Sequence, residues 1–340
     1  MKNKTELFKN KIALAPMATG GNLPYRRLCR YFGAQLTCSE MVLAHKVVKG
    51  SKREDVLLRK GDGEYPYGVQ LAGKKPDVMA EAARIVADSG CDYIDLNFGC
   101  PIDLIVRKGS GAAVLRSVTK LGRIVEAVRE AVDLPILVKL RTGYHRDKIN
   151  IEKTAVVAEE NGADCLSIHG RTRDQHYRKD ADWSLISRAA ELVNIPVLGN
   201  GDILTVWDYQ AKQNCGVSGV VLARGALIKP WVFKELIEGE PWYPSVEERW
   251  QVMAKYVEFA KEYFGDDEKG MERVKRFFIW HLGFWNRYRP YTEDDYNSAE
   301  GSLLQMRTEA VTGDPELELL ASENPDDFEV IWDRIVEQGR

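Results

Sequence analysis

The sequence predicts an α/β fold, a (β/α)8 barrel over residues 1–240 that is followed by a smaller C-terminal helical domain over residues 245–340. Two observations lead to this prediction. Short runs rich in Val, Ile and Leu alternate eight times with longer segments in which apolar residues recur every three or four positions. The alternation occupies about 230 residues, which suits a closed TIM barrel, whereas eight units would overfill an open doubly wound sheet.

The order of the elements follows from the positions of these runs and of the turns between them. Several helices end at a Gly that can adopt the left-handed conformation before the next strand, as at Gly90, Gly162 and Gly216. The predicted strands are 12–15, 35–38, 67–71, 93–97, 136–140, 165–169, 197–200 and 219–222. The predicted helices include 76–89, 118–132, 151–161, 183–192 and 206–214 in the barrel, and 246–263 after it.

The composition of the 340 residues is that of a globular protein, with 44% hydrophobic and 29% charged residues. No segment approaches the roughly 18 uninterrupted apolar residues of a membrane-spanning helix. The six cysteines form no Cys-x-x-Cys pair and no cluster with histidine, which is unlike a disulfide scaffold or a zinc site. We therefore expect a cytoplasmic monomer without a membrane partner or a metal.

Charge is distributed unevenly along the chain. Residues 292–340 contain 14 Asp and Glu against three Arg, whereas residues 1–291 contain 45 basic and 37 acidic residues. The basic main body is compatible with an anionic partner. The acidic end could repel such a partner, fold back on the basic part, or dock a protein.

Polar residues or special backbone follow every predicted strand. In a barrel of this class, chemistry collects at the carboxyl-terminal ends of the strands. In chain order these ends carry Pro16 and Met17, then Ser39 and Glu40, Gln70, residues 97–100, Lys139 and Arg141, His169 and Arg171, residues 200–202, and residues 223–225.

The seventh and eighth strand ends predict a phosphate site. Residues 198–202 and 223–226 are short turns that contain Gly and lead into helices, and Arg224 adds a fixed positive charge. Backbone N–H groups and helix N-termini in such turns bind anions. Either turn alone could need Gly only for its geometry, but a pair at these two ends favours a cofactor phosphate.

The middle strands offer donors and a cation for a planar ring. Gln70, Lys139 and His169 together suit the polar edge of an isoalloxazine, whose reduced form is stabilised by nearby positive charge. Alternatively, Lys139 could pair with Asp95, and His169 could be structural.

Cys100 lies between Gly99 and Pro101, on a stiff turn at the mouth of the predicted barrel. A thiol in this position can deliver a proton to a substrate. A nucleophilic thiol would need a nearby base to lower its pKa, and no His is close in sequence. The acid is favoured, although a structural role stays open.

Two basic segments could contact nucleic acid. Arg107 and Lys108 precede a stretch of small residues and could clamp a phosphate backbone or simply form a solvated loop. Residues 271–291 contain five Lys and Arg, one Glu and seven aromatic rings, which suit RNA contact or the core of a helical domain. The exposed candidates in this segment are Arg273, Lys275, Arg276, Arg287 and Arg289.

Taken together, these residues resemble the tRNA-dihydrouridine synthase family. The matching segments occur in the family's order between residues 12 and 233, about two thirds of the chain. They are 15–17, Gln70, 95–101, 139–141, 169–172, 200–202, 223–226 and 230–231. Segments 99–109 and 227–231 most resemble the type 3 branch, although this sequence has none of the zinc fingers that precede the catalytic domain there.

The resemblance implies an oxidoreductase that uses FMN and NADPH to form dihydrouridine in tRNA. Reduced flavin would pass hydride to C6 of a uridine flipped out of its stack, and Cys100 would protonate C5. Asn97, Arg141 and Arg171 would hold the base, and the basic segments would hold the tRNA. FMN would be bound by Pro16, Met17, Gln70, Lys139, His169, Asn200, Gly201, Asp202, Ala223 and Arg224.

Two other functions remain open from the residues. A flavin barrel that acts on a free pyrimidine, such as a dihydroorotate or dihydropyrimidine dehydrogenase, also uses a Cys or Ser at a strand end. A non-catalytic RNA-binding protein would have no need of Cys100, Lys139 and His169. The basic main body and the basic aromatic segment favour the polymeric substrate, because a free base needs neither.

Overall fold

Eight parallel strands connected by helices form a nearly closed barrel in the computed structural model, which describes residues 4–337. The strands are β1 Lys11–Leu14, β2 Thr37–Cys38, β3 Val42–Leu43, β4 Tyr67–Ala72, β5 Tyr93–Asn97, β6 Ile136–Arg141, β7 Cys165–His169, β8 Val197–Asn200 and β9 Gly219–Leu222. All except β3 belong to the ring, and β3 pairs with the end of β4. The predicted fold class is confirmed.

Hydrogen bonds close the ring between its first two strands. β9 pairs with β1 in parallel, and successive pairs run from β9 back to β4 and then to β2. Gln35 N donates to Ile12 O at 2.9 Å, and Leu14 N donates to Leu36 O at 2.9 Å. The second predicted strand is therefore only two residues long as a regular strand, because residues 35 and 36 meet β1 through isolated bonds.

Helices surround the barrel and continue beyond it. The helices before residue 240 are α1 Leu23–Tyr31, α2 Ala44–Val47, α3 Lys52–Leu57, α4 Pro76–Ala87, α5 Asp103–Arg107, α6 Val118–Ala131, α7 Ile151–Glu160, α8 Trp183–Glu191, α9 Val206–Gln213, α10 Arg224–Ile228 and α11 Val232–Glu238. The later helices are α12 Val246–Phe264, α13 Glu268–Trp285, α14 Glu293–Ser298, α15 Pro315–Leu320 and α16 Pro325–Glu337.

Local sequence signals explain where these helices begin and end. Thr205 and Ser245 each start a helix with a reciprocal capping box, to Asp208 in α9 and Glu248 in α12. The glycines expected after the barrel helices adopt positive φ, at 81° for Gly90, 101° for Gly162 and 68° for Gly216. These turns return the chain to the start of the next strand.

The barrel interior is a small apolar cluster that the N-terminal segment seals. The 3-10 helix Lys4–Phe8 inserts Phe8 beneath the strands, where its ring meets Tyr93 edge-on with centroids 5.3 Å apart. Cys165 and Leu198 are fully buried in the same cluster. The amino-terminal end is therefore packed, which leaves the carboxyl-terminal end for chemistry.

The C-terminal helices share a core with the barrel. One apolar cluster joins Leu14 of β1 and Tyr25 of α1 to Tyr256 of α12, Phe278 of α13 and Trp332 of α16. The boundary predicted near residue 240 therefore does not coincide with a break in the apolar core.

The acidic end folds back on the preceding helices. α16 packs against α12 and α13, and Lys275 Nζ forms an ion pair with Glu329 Oε2 at 2.5 Å. The segment 302–306 reaches the barrel, where Gln305 Nε2 donates to Lys179 O at 2.7 Å. Of the three possibilities for the acidic end, the structure shows that it folds back on the basic part of the chain.

Candidate active site

A cavity of about 530 Å³ opens at the carboxyl-terminal end of the barrel. Its volume lies in the range of small-molecule and cofactor sites. Thirteen of the residues expected in the site line it, and they follow or end seven of the barrel strands. These residues are Pro16, Met17, Gln70, Asn97, Cys100, Lys139, Arg141, His169, Asn200, Gly201, Asp202, Ala223 and Arg224.

A chain of hydrogen bonds runs across the floor of the cavity to the Cys100 turn. Gln70 Nε2 donates to Asp95 Oδ2 at 3.0 Å, and Gln70 Oε1 accepts from Asn97 Nδ2 at 2.7 Å. The Asn97 Oδ1 atom accepts from the backbone N–H groups of Gly99 at 3.1 Å and Cys100 at 2.8 Å. Each amide is thereby oriented by its neighbours, and the turn that carries the thiol is fixed to the barrel floor.

Lys139 and Asp95 form a buried electrostatic pair without a direct ion pair. Burial raises the pKa of Asp95 and lowers the pKa of Lys139, and each group's charge opposes the shift of the other. Lys139 Nζ instead donates to Asn200 Oδ1 at 3.2 Å. The structure therefore shows no direct salt bridge between Lys139 and Asp95, which was the alternative role for this lysine.

His169 presents a neutral imidazole to the cavity. Burial, together with the cations Arg141 and Lys139, holds the pKa of His169 well below its ordinary value. Its Nδ1 atom is buried and has no partner among residues 4–337. A buried polar atom of this kind calls for a ligand, because leaving it unpaired costs free energy.

Asp202 organises the turn after β8. Its carboxylate accepts from Arg171 at 2.6 Å, from Arg224 at 3.3 Å and from the backbone N–H of Ala181 at 2.7 Å. Two guanidinium groups against one carboxylate leave this end of the cavity positive. The turn needs Gly201, whose φ is 137° and where an added Cβ would lie 2.5 Å from Ala181 Cβ.

Cys100 is half-buried at the rim of the cavity. Burial raises the pKa of its thiol, while the Ile102 N–H and the Arg141 charge act in the opposite direction. None of the five histidines, all within residues 4–337, hydrogen-bonds to its sulfur. At neutral pH the side chain is therefore a thiol with a proton to give, and its thiolate would be stabilised by two neighbours.

The chain matches a known protein family along most of its length. The family model of the dihydrouridine synthases matches residues 13–308. The chain belongs to the dihydrouridine synthase family. The resemblance read from the sequence is therefore confirmed.

Named relatives of the family are tRNA-dihydrouridine(47) synthases. A Xenopus tropicalis protein named tRNA-dihydrouridine(47) synthase [NAD(P)(+)]-like is 40% identical over 290 residues, which cover 84% of this chain and 45% of the relative. The Coprinopsis cinerea synthase is 39% identical over 338 residues, 94% of this chain and 50% of the relative. A Homo sapiens relative is 38% identical over 286 residues, which cover 83% of this chain and 44% of the relative. The chain spans about half the length of the curated relatives it matches.

A solved structure shows the same fold at low sequence identity. The complex of 2-naphthoyl-CoA reductase with 2-naphthoyl-CoA superposes with a TM-score of 0.51 at 14% identity. The match covers 71% of this chain and 49% of that chain. At this identity the likeness concerns the fold alone.

The cavity fits the flavin mononucleotide expected for a dihydrouridine synthase. The buried, unpartnered His169 Nδ1 and the Lys139 cation suit the polar edge of an isoalloxazine. At the other end, Arg224 and the close backbone of Gly201 suit a phosphate. The donors and charges thus match both ends of the cofactor.

The two arginines expected to hold a base occupy different places. Arg141 lines the cavity, and its guanidinium donates to Gly99 O at 2.8 Å and Thr172 O at 2.9 Å. Arg171 is completely buried outside the cavity lining, where it donates to Lys179 O and Asp202. In the structure this side chain secures the loop after β7 and does not line the cavity, so its contact with a base stays a prediction.

The basic residues expected to contact RNA are only partly free. Lys275 is paired with Glu329, and Arg287 Nη2 lies 3.4 Å from Leu304 O. Arg289 donates to Glu309 O at 2.7 Å, so the acidic segment engages three of the five candidates. Arg273 and Arg276 remain exposed on α13, as do Arg107 and Lys108 at the end of α5.

Sequence reasoning missed several residues of the cavity. Trp280 and Phe284 of α13 and Leu304 beyond it cover one side of the mouth. Tyr177, on the loop after β7, lies under Arg224, whose guanidinium carbon is 4.7 Å from the ring centroid. The pattern of strand ends could not indicate the helical residues, because α13 follows the last strand in sequence and reaches the mouth only through tertiary packing.

Residues 4–337 contain no group of three His, Cys, Asp or Glu that could hold a metal ion. Within the same residues, no helix is both long and apolar enough to cross a membrane.

Proposed function

We propose that this chain acts as a tRNA-dihydrouridine synthase that depends on FMN and NADPH. It would reduce the C5–C6 double bond of specific uridines in tRNA. The observation that carries the proposal is the single cavity that unites a flavin-compatible set of side chains with a protonated thiol at its rim. The names of the relatives at 38–40% identity supply the substrate and the nicotinamide donor.

When bound and reduced by NADPH, FMN would supply the hydride that adds to C6 of the uracil ring. Lys139 would place a positive charge beside the pyrimidine portion of the cofactor, and His169 would offer Nδ1 to it. Arg224 would meet the phosphate, and Pro16, Met17 and Ala223 would line the walls. Asn200 and Gln70 hold their neighbours in place through the hydrogen bonds described above.

Cys100 would complete the reduction by giving its thiol proton to C5. One hydride and one proton together add two hydrogen atoms across the double bond, and the sulfur is left as a thiolate. Burial raises the pKa of this thiol, and the Ile102 N–H and Arg141 oppose that rise, which means that they stabilise the thiolate. Burial keeps the thiol protonated before the step, so the proton is present when the hydride adds.

Asn97 would orient the base with the one N–H that its network leaves. Its Oδ1 already accepts twice and its Nδ2 already donates once to Gln70. Its remaining hydrogen can therefore recognise a carbonyl oxygen of uracil, and its oxygen has no capacity left for a ring N–H.

The testing experiment is NADPH-dependent dihydrouridine formation on unmodified tRNA, mapped by position. Cys100→Ala should retain bound flavin and its reduction by NADPH, while dihydrouridine formation falls by about 10²–10⁴-fold, the usual contribution of a general acid. Cys215→Ala is the matched control, because Cys215 is also half-buried and lies outside the cavity lining.

Unchanged turnover in Cys100→Ala would refute the assigned acid. A preparation that binds no FMN would refute the flavin assignment. Reduction of free uracil or orotate but not of RNA would transfer the proposal to an enzyme of free pyrimidines. A cytoplasmic location and a monomeric state stay predictions.

A further inference from the structure

A second groove, of about 300 Å³, lies on the other side of the Cys100 turn. Segment 100–112 separates it from the cavity, since Ala112 N donates to Cys100 O at 3.0 Å while Ile105, Lys108 and Ser110 line the groove. The opposite wall comes from the turns after β3 and β4. The lining residues are Leu43, His45, Gly73, Lys74, Lys75, Val78, Ile105, Lys108 and Ser110.

Three of the nine residues that line the groove are lysines, beside apolar walls formed by Leu43, Val78 and Ile105. Lys74, Lys75 and Lys108 are exposed, and none of them forms an ion pair with any residue of the range 4–337. Lys74 reaches across the groove, because a Cβ added at Gly109 would lie 3.2 Å from Lys74 Cδ. The nearby carboxylate of Glu54 is already engaged by Leu43 N at 2.9 Å and by Lys46 at 3.5 Å.

The first turn of α4 lies beside the same space, since Lys75 and Val78 line the groove. α4 has twelve residues and begins at Pro76, no side chain caps its first turn, and Asp77 places one carboxylate there. Such an N-terminus carries unpaired N–H groups and a partial positive charge. Ser110 supplies a second donor: the residue is only 8% exposed, lines the groove, and its hydroxyl bonds to nothing within residues 4–337. The hydroxyl is therefore free to donate a hydrogen bond to a ligand in the groove.

We propose that this groove binds a backbone phosphate of the RNA whose base enters the cavity. The proposal rests on the proposed function. Three lysines, a free helix N-terminus and a hydroxyl match the acceptor oxygens and charge of a phosphodiester. The shared wall puts this phosphate next to Cys100, as a nucleotide flanking the flipped uridine requires. Lys275 and Arg289 are engaged by the acidic segment, whereas Lys74, Lys75 and Lys108 form no ion pair within residues 4–337.

The decisive experiment measures binding of unmodified tRNA over a range of salt concentrations. For Lys74→Ala/Lys75→Ala/Lys108→Ala, the slope of log Kd against log salt should fall by about 1 for each phosphate that the lysines no longer neutralise. The charge-retaining variant Lys74→Arg/Lys75→Arg/Lys108→Arg should keep most of the wild-type slope. Lys153→Ala is the control, since Lys153 is exposed on α7 and forms no ion pair with the residues that the structure describes.

The rate of flavin reduction by NADPH distinguishes an RNA phosphate from a phosphate of NADPH as the ligand of the groove. If the groove holds RNA, the triple Ala variant should keep the wild-type KM for NADPH in reducing the flavin. A raised NADPH KM with unchanged tRNA binding would overturn the RNA assignment in favour of the dinucleotide phosphate. Unchanged values for both ligands would overturn the phosphate site altogether.

His45 gives a readout that does not depend on catalysis. Burial and the charges of Lys108, Lys46 and Lys49 lower the pKa of His45, against an opposing contribution from Glu54. A bound phosphate should raise it, so inorganic phosphate should move the His45 titration followed by NMR upward in the wild type and not in the triple Ala variant. Equal shifts in both proteins would contradict the proposal. If the wild-type protein forms no dihydrouridine, the proposed function is refuted. The salt dependence of tRNA binding and the His45 titration would still test the groove.

Discussion

Asn97 is held from both ends of its amide, which limits what it can recognise. Gln70 occupies one donor hydrogen, and the N–H groups of Gly99 and Cys100 occupy the oxygen. The residue type was foreseeable from its place at a strand end. That Asn97 keeps only one free donor was not foreseeable. This restriction depends on how Gln70 of β4 lies beside Asp95 of β5, the strand that also carries Asn97.

The protonation state of Cys100 separates the acid from the nucleophile. Its pKa is raised, so the thiol should persist at and above the ordinary cysteine pKa of about 8.5, and the thiolate should appear only at higher pH. Alkylation by iodoacetamide requires the thiolate. Labelling of Cys100, followed by mass spectrometry against pH, should therefore have its midpoint above that of a free cysteine peptide.

A labelling midpoint below that of the peptide would mean that Cys100 is a thiolate at neutral pH. Such a result would contradict the acid and favour covalent chemistry at this position.

At the scale of elements, α13 forms part of the wall of the cavity. Trp280 packs on the loop between β1 and α1, where an added Cβ at Gly20 would be 2.8 Å from Trp280 Cη2 and 2.9 Å from Leu227 Cδ2. The small size of Gly20 is therefore what allows the helix to approach the barrel mouth.

Gly20→Ala should lower the free energy of unfolding by about 1–3 kcal/mol, the usual cost of overpacking a well-packed contact. Gly283→Ala is the matched change within α13 itself. Apart from its chain neighbours and the backbone of its own helix, no heavy atom of residues 4–337 lies within 4 Å of a Cβ added there, so Ala should stabilise the helix by about 0.5–1 kcal/mol. Urea unfolding followed by tryptophan fluorescence measures both. Equal effects of the two substitutions would show that Gly20 is not a close packing point.

The elements that sequence predicted well were those with regular spacing. β5, β7, β8 and β9 have the predicted bounds, and α4, α6, α7, α8 and α9 end one or two residues earlier than predicted. Short elements such as β3 and α5 carry too few residues to show a period, and they were missed. The cavity was largely foreseeable because barrel topology gathers strand ends, whereas Arg171 faced away because its position in the loop is set by Asp202.

At the scale of the whole molecule, the shared core predicts a single cooperative unit. Trp332 of α16 packs against Phe278 of α13 with ring centroids 5.5 Å apart, in the cluster that also contains barrel residues. Trp332→Ala should therefore lower the free energy of unfolding by about 3–5 kcal/mol. Loss of helix signal and loss of bound flavin should shift to the same lower urea concentration.

Val330→Ala provides the comparison on the same helix, because Val330 is 42% exposed. This change should stay within about 0.5 kcal/mol of the wild type. If Trp332→Ala unfolded the C-terminal helices while the barrel kept its flavin, residues 245–340 would be an independent unit after all.

Asp202 connects the barrel cavity with the C-terminal segment. Its carboxylate is bonded to Arg224 at the phosphate end of the cavity, and the Gln305 amide of the C-terminal segment lies 3.4 Å from it. Free-energy coupling between two sites is reciprocal, so a ligand that orders Arg224 also favours the docked C-terminal segment, and the docked segment favours retention of the ligand. Segment 302–306 is thus energetically coupled to the cavity, although Leu304 alone among its five residues lines it.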